Sequence, residues 1–207
     1  MSWLALLDFG SVMIFALTGA LVASRAQMDP VGFLFIACLT AMGGGTLRDV
    51  LLDRNPVFWI AQPTYIAVAC GAAIVVFFTA HLLESRLRTL VWLDSLALAI
   101  AVPAGAGVAL DLGAPAPIII LMGMITGCMG GLMRDVVVGD VPVVLKQGEL
   151  YVSAAFGGAL ALWLTSTYIA TGLPALAAGA GVTWALRAGS LAFGWQLPTY
   201  RSTPPKS

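Results

Sequence analysis

Charge is what this sequence has least of. Only 10% of its 207 residues are Asp, Glu, Lys or Arg, well under the roughly 25% of ordinary soluble domains. The single histidine, His81, flanks an apolar run with no ligand partner near it, so a metal site is not expected. Three cysteines, Cys38, Cys70 and Cys128, lie inside apolar runs without CxxC or any other ligand spacing, and they read as small buried hydrophobes. No Ser/His/Asp or Walker pattern occurs. Neither an enzyme, a resident cofactor nor a nucleic-acid partner is expected.

What is present is apolar surface. Hydrophobic residues make up 60% of the chain, glycine occurs 23 times, and the mean hydropathy is +0.97. A soluble domain of this length cannot hide so much apolar surface. A polytopic membrane protein can, because the lipid bilayer is then its partner and solvent. The expected class is all-α. The N-terminal apolar run lacks a basic flank and follows Asp8, so it reads as a retained span rather than a signal peptide.

Charges and prolines punctuate the apolar runs into seven spans. The runs cover 9–24, 31–47, 64–83, 95–110 and 118–133. The charge-free run 150–186 is too long for one crossing and divides at 165–174, which carries Gly172 and Pro174 as turn signals. The expected organisation is one transmembrane domain over 1–200 with a disordered tail over 201–207. Arg48 and Arg54 fall on the face that holds the N-terminus. Arg25, Arg86, Arg88, Arg134, Lys146, Arg187, Arg201 and Lys206 fall on the other. Two against eight places the N-terminus outside and the C-terminus in the cytoplasm.

An offset of 86 residues aligns the two halves without a gap. Asp8 matches Asp94, Gly19 matches Gly105, and Thr40 matches Thr126. Gly44-Gly45 matches Gly130-Gly131, Arg48-Asp49 matches Arg134-Asp135, Pro56 matches Pro142, and Tyr65 matches Tyr151. Repeat one spans 8–83, repeat two 94–168, and a seventh helix over 173–194 stands outside. Three spans per unit send the second unit into the membrane from the opposite face, which is an inverted repeat.

The chemistry concentrates in Gly43-Gly44-Gly45-Thr46-Leu47-Arg48-Asp49 and its counterpart Gly130-Gly131-Leu132-Met133-Arg134-Asp135. The glycines support two readings, close helix packing or bends that line a cavity. Pro103 adds a second kind of break in span four, either a moving hinge or a fixed kink. Charges at this depth face a partner or an aqueous path, or else snorkel to the interface. Neighbours i and i+1 diverge on a helix, so Arg48 is not expected to pair with Asp49. Asp8 is the better partner for Arg48, and Asp94 for Arg134, unless both aspartates serve only as helix caps. Four aspartates against two arginines leave a negative surplus suited to cations. Arg187 is expected to snorkel to the basic face, or to bridge to a neighbouring subunit.

Asp8-Phe-Gly, Thr18-Gly-Ala-Leu21, Arg25-Ala-Gln-Met-Asp29, the 40–49 segment and Asn55-Pro-Val-Phe-Trp59 resemble the prokaryotic branch of the trimeric intracellular cation (TRIC) channels. The resemblance covers residues 8–165. It implies seven helices, a homotrimer, and one potassium-permeable pore in each protomer of a bacterial inner membrane protein. It also implies that spans one, two, four and five line that pore. Some relatives carry a glycine-transporter label, which leaves a secondary transporter of a small zwitterion as the alternative.

Overall fold

The computed structural model describes residues 3–82, 86–146 and 149–198, and among them every regular element is helical. The tail expected over 201–207, with Arg201 and Lys206, lies outside the described residues, as does Leu83 at the expected end of span three. The helices are α1 (Trp3–Arg25), α2 (Pro30–Leu51), the single turn α3 (Phe58–Ala61), α4 (Thr64–Thr79), α5 (Arg86–Asp111), α6 (Ala116–Val138), α7 (Val152–Tyr168) and α8 (Leu173–Phe193). Five segments are long and apolar enough to cross a membrane by length and composition: Trp3–Arg25, Pro30–Leu51, Thr64–Leu82, Leu87–Asp111 and Ala116–Val138. By contrast α7 has 17 residues, and α8 carries Arg187 in its length.

Local chemistry sets the ends. Asp29 caps α2, its Oδ1 accepting the Gly32 N–H at 2.7 Å, and Pro30 takes the first helical position, where no donor is lost. At the far end of α6 the chain turns at Gly139 with φ of 81°, a left-handed geometry that a side chain resists.

Helix α1 packs on α2, α4 and α5, while α5 packs on α6, α7 and α8, and α2 crosses α6. Between lipid-facing helices the apolar effect gives little net attraction, so close van der Waals approach has to hold the bundle together. Glycine provides that approach. A Cβ on Gly44 would overlap the Thr126 carbonyl oxygen, and a Cβ on Gly130 would overlap the Thr40 carbonyl oxygen. These two contacts are reciprocal at the 86-residue offset. Thr40 also meets α1, where a Cβ on Gly19 would stand 2.7 Å from its Oγ1. The matched Thr126 Oγ1 fills the space beside Gly105 on α5 in the same way. Each threonine is thus wedged between two glycine faces, and each hydroxyl donates to its own helix, Thr40 to Ile36 O and Thr126 to Met122 O.

The glycines therefore act as crossing points. The expected interruptions at Gly43, Gly44, Gly45, Gly130 and Gly131 do not occur, and α2 and α6 run through them as unbroken helix. Pro103 likewise lies inside the continuous α5, with its Cβ 3.4 Å from where one on Gly179 of α8 would stand. At Gly44 and Gly130 the close approach is to the backbone of the opposing helix, whereas Gly45 makes room for the Phe58 ring.

Candidate functional site

Asp8 and Asp94 are not caps. Both sit inside their helices, because α1 begins at Trp3 and α5 at Arg86. A charge can lie within a span when its partner is brought to it inside the protein. Asp8 Oδ1 accepts from Arg48 Nη1 at 3.0 Å, and Asp94 Oδ1 accepts from Arg134 Nη1 at 3.1 Å. The two arginines are 0% and 1% exposed, which rules out snorkelling for both. Each lies in the last turns of its helix, after the glycine crossing.

The neighbouring aspartates pair as well, against expectation. Arg48 Nε donates to Asp49 Oδ1 at 2.8 Å, and Arg134 Nε donates to Asp135 Oδ1 at 2.8 Å. Divergence at i and i+1 applies to the Cβ directions. A guanidinium at the end of a long stem reaches round the turn and presents Nε to one carboxylate and Nη1 to another. Each second aspartate then uses its remaining oxygen to fasten the chain beyond the helix. Asp49 Oδ2 accepts the Phe58 N–H at 2.9 Å, and Asp135 Oδ2 accepts the Val143 N–H at 3.0 Å. The two clusters are copies of one device: an arginine, an aspartate from the first helix of the repeat, and an aspartate that clamps the following loop.

Departures from the copy matter. Arg54 Nη1 donates to Asp49 Oδ1 at 2.9 Å, adding a second cation to the first cluster and reducing its negative surplus. Arg134 Nη1 also donates to Thr18 Oγ1 at 3.1 Å. The position matched to Thr18 is Ala104, and Arg48 Nη2 is buried without a partner. Gly45 leaves room for the Phe58 ring, over which Arg48 lies at 5.5 Å from the centroid. Gly131 instead leaves room for polar groups. The Tyr151 hydroxyl, Arg134 Nη2 and Asp94 Oδ1 would stand 3.4, 3.6 and 3.7 Å from a Cβ there.

Each cluster borders a cavity lined by charged and apolar side chains, one near each end of α1 and α5. A cavity of about 370 Å³ is lined by Asp8, Arg54, Phe58, Gln62, Tyr65 and Asp111 among others. The second, of about 170 Å³, is lined by Arg25, Arg134, Asp135, Asp140 and Lys146 among others. Thr18 and Thr40 are both 0% exposed, and Thr18 belongs to the second cluster through Arg134.

Arg187 on α8 departs furthest from its expected place. It is 0% exposed, donates from Nη2 to Glu149 Oε2 at 2.6 Å, and lies 5.1 Å over the Tyr151 ring. It neither snorkels nor reaches outward. The sequence offered one signal for this: Glu149 lies just before the long charge-free run that contains α7 and most of α8.

Known proteins resemble this chain in sequence and in fold. The sequence family described as glycine transporter matches the chain twice, over residues 5–81 and 91–167, so one family unit falls on each repeat. A UPF0126 membrane protein of Vibrio cholerae is 37% identical over 213 residues, spanning 98% of this chain and 84% of its own length. The UPF0126 inner membrane protein YadS of Escherichia coli K12 is 34% identical over 201 residues, 94% of each chain. The TRIC trimeric intracellular cation channel orthologue from Rhodobacter sphaeroides superimposes with a TM-score of 0.90 at 42% identity, covering 94% of this chain and all of its own. A prokaryotic TRIC channel solved in 0.5 M KCl superimposes with a TM-score of 0.86 at 26% identity, covering 94% and 98%. With the duplicated arginine–aspartate device, the twice-matched family unit and full-length likeness of this degree, the chain belongs to the prokaryotic TRIC family, in which relatives carry the UPF0126 name.

Proposed function

We propose that this protein is a monovalent-cation channel, permeable to potassium, with a gated hydrophilic pore inside each protomer of a homotrimer. One observation carries the reading. Two buried arginine–aspartate clusters, repeated 86 residues apart, each border a cavity with charged lining residues, and the two cavities lie at opposite ends of α1 and α5. Buried charge is expensive at membrane depth and marks an ion path. Helices α1, α2, α4, α5, α6, α7 and α8 are then the seven spans, in two inverted units plus one. The N-terminus lies outside and the C-terminus in the cytoplasm of a bacterial inner membrane.

In this reading Asp8, Arg48 and Asp49 form the outer mouth, with Asp94, Arg134 and Asp135 forming the inner one. The threonines Thr18, Thr40 and Thr126 line the passage between, and Gly43, Gly44, Gly45, Gly130, Gly131 and Pro103 set how closely its walls approach. Opening slides α2 against α6 at the Gly44/Gly130 crossing and exchanges Arg–Asp contacts at either end. The names of the structural neighbours, cation channels in each case, support this reading.

The description of the sequence family favours one rival, a secondary transporter of glycine. Proteoliposomes separate the two. A channel gives ionic current without glycine. Saturable uptake of labelled glycine, driven by a proton or sodium gradient and without single-channel current, would instead establish the rival.

A further inference from the structure

In the first repeat Tyr65 is held flat by Phe9, with ring centroids 4.0 Å apart and planes 15° from parallel. Tyr151 is the matched tyrosine of the second repeat, but the residue matched to Phe9 is Ser95. Ser95 is fully buried and its Oγ has no partner. It supplies no plane for the tyrosine to lie against. The structure supplies one from outside the repeat: the guanidinium of Arg187 on α8, 5.1 Å over the Tyr151 ring. A planar cation over an aromatic face stacks and is attracted by the ring quadrupole.

Arg187 is itself fixed from the far side. Glu149 Oε2 accepts its Nη2 hydrogen at 2.6 Å, and the Leu150 N–H donates to Ser190 Oγ at 3.0 Å, binding the same short segment to α8. Tyr151 is 2% exposed, and its hydroxyl lies with Arg134 Nη2 and Asp94 Oδ1 around Gly131. Asp94, Cys128 and Arg134 are its electrostatic neighbours. A continuous line of contacts therefore runs from Glu149 through Arg187 and Tyr151 to the inner cluster.

We infer that Arg187 is a positioning residue for the inner mouth. It takes the place that Phe9 holds in the other repeat, and it keeps the Tyr151 hydroxyl against the Asp94–Arg134 pair. The seventh helix thereby sets the geometry of the inner cluster and leaves the outer one alone. This rests on the pore reading for its functional meaning, but its geometry can be tested without any current.

The experiment uses purified full-length protein in detergent with Cys38→Ser and Cys70→Ser, so that buried Cys128 beside Tyr151 is the one thiol. The rate of its modification by a small methanethiosulfonate reagent reports the packing at the inner cluster. Glu149→Ala, at a part-exposed site, and Arg187→Lys, which keeps charge but loses the plane, should each speed labelling roughly tenfold, the scale of coupling between contacting residues. Tyr151→Phe should speed it too, and Glu149→Ala should add little on top of it, because both act along one line. Tyr65→Phe, in the outer cluster, should combine with Glu149→Ala without interaction. Wild-type labelling rates in Glu149→Ala and Arg187→Lys, with both variants folded by thermal melt, would overturn the inference. So would effects of Glu149→Ala and Tyr151→Phe that simply multiply. In bilayers, Glu149→Ala should change mean open time in a wild type that conducts. If the wild type does not conduct, the channel reading falls while the labelling result still decides the positioning role.

Discussion

Replacing Gly44 or Gly130 by alanine tests the packing most sharply. At either position the added Cβ would stand closer than 3.0 Å to a backbone carbonyl oxygen of the opposing helix, which has no flexible end that can move aside. Helices α2 and α6 would have to part, by on the order of 1 Å in an interior packed like a crystal. Overpacking of this kind costs about 1–3 kcal/mol. The better helix propensity of alanine returns up to about 1 kcal/mol. Each variant should therefore lose about 1–2 kcal/mol, or several degrees in thermal midpoint for a chain of this size. The double variant should lose less than the sum, because a crossing already opened for one methyl accepts the second. Gly71→Ala is the internal control. Nothing lies within 4 Å of its Cβ position, so it should be neutral or stabilise by up to about 1 kcal/mol. Thermal unfolding of the four variants and the wild type in one detergent reads all of this. If Gly44→Ala and Gly130→Ala behave like Gly71→Ala, or if their losses add fully, the crossing is not the tight contact described.

Two further outcomes follow from the same geometry. Asp94→Asn leaves the buried Arg134 short of one carboxylate, although Asp135 and Thr18 remain, and should cost about 2 kcal/mol or more. Asp8→Asn should cost less, because the Asp8 side chain is 14% exposed; the reverse order in thermal melts would contradict the burial argument. The Cys38 and Cys70 sulfurs stand 3.9 Å apart across α2 and α4, so mild oxidation should crosslink them within one chain. Mass spectrometry of the proteolysed, unreduced protein checks this: Cys38→Ser or Cys70→Ser should abolish the linked peptide, and Cys128→Ser should not.

Much of the site could be read from the sequence because it is repeated. Aspartate, glycine and arginine recurring at one offset singled out Asp8 with Arg48 and Asp94 with Arg134, and the structure joins both pairs. The double use of each guanidinium was not legible, since helical spacing describes where Cβ atoms point and not how far a long arginine reaches. Glycine runs carry the same letters whether they bend or pack. What distinguishes them is the partner across the repeats, the Thr126 backbone carbonyl for Gly44 and the Thr40 backbone carbonyl for Gly130, which spacing along one helix does not show. The burial of Arg187 is not legible because its partner, Glu149, stands at the opposite end of the charge-free run from it, and because the exchange of Phe9 for Ser95 has meaning only once α8 is seen over Tyr151. The five long apolar spans were legible from the spacing of charges and prolines, and α7 and α8 from the turn signals at Gly172 and Pro174, though α1 and α5 start well before their first aspartates.

The central claim is a cation pore between the two clusters, and its most direct test is the reversal potential of single channels of the purified protein in planar bilayers under a tenfold KCl gradient. The account predicts a value close to the potassium equilibrium potential, about 59 mV in magnitude for a monovalent ion. Asp49→Asn and Asp135→Asn should lower the conductance. A reversal at the chloride potential, or no conductance from folded protein, would contradict it.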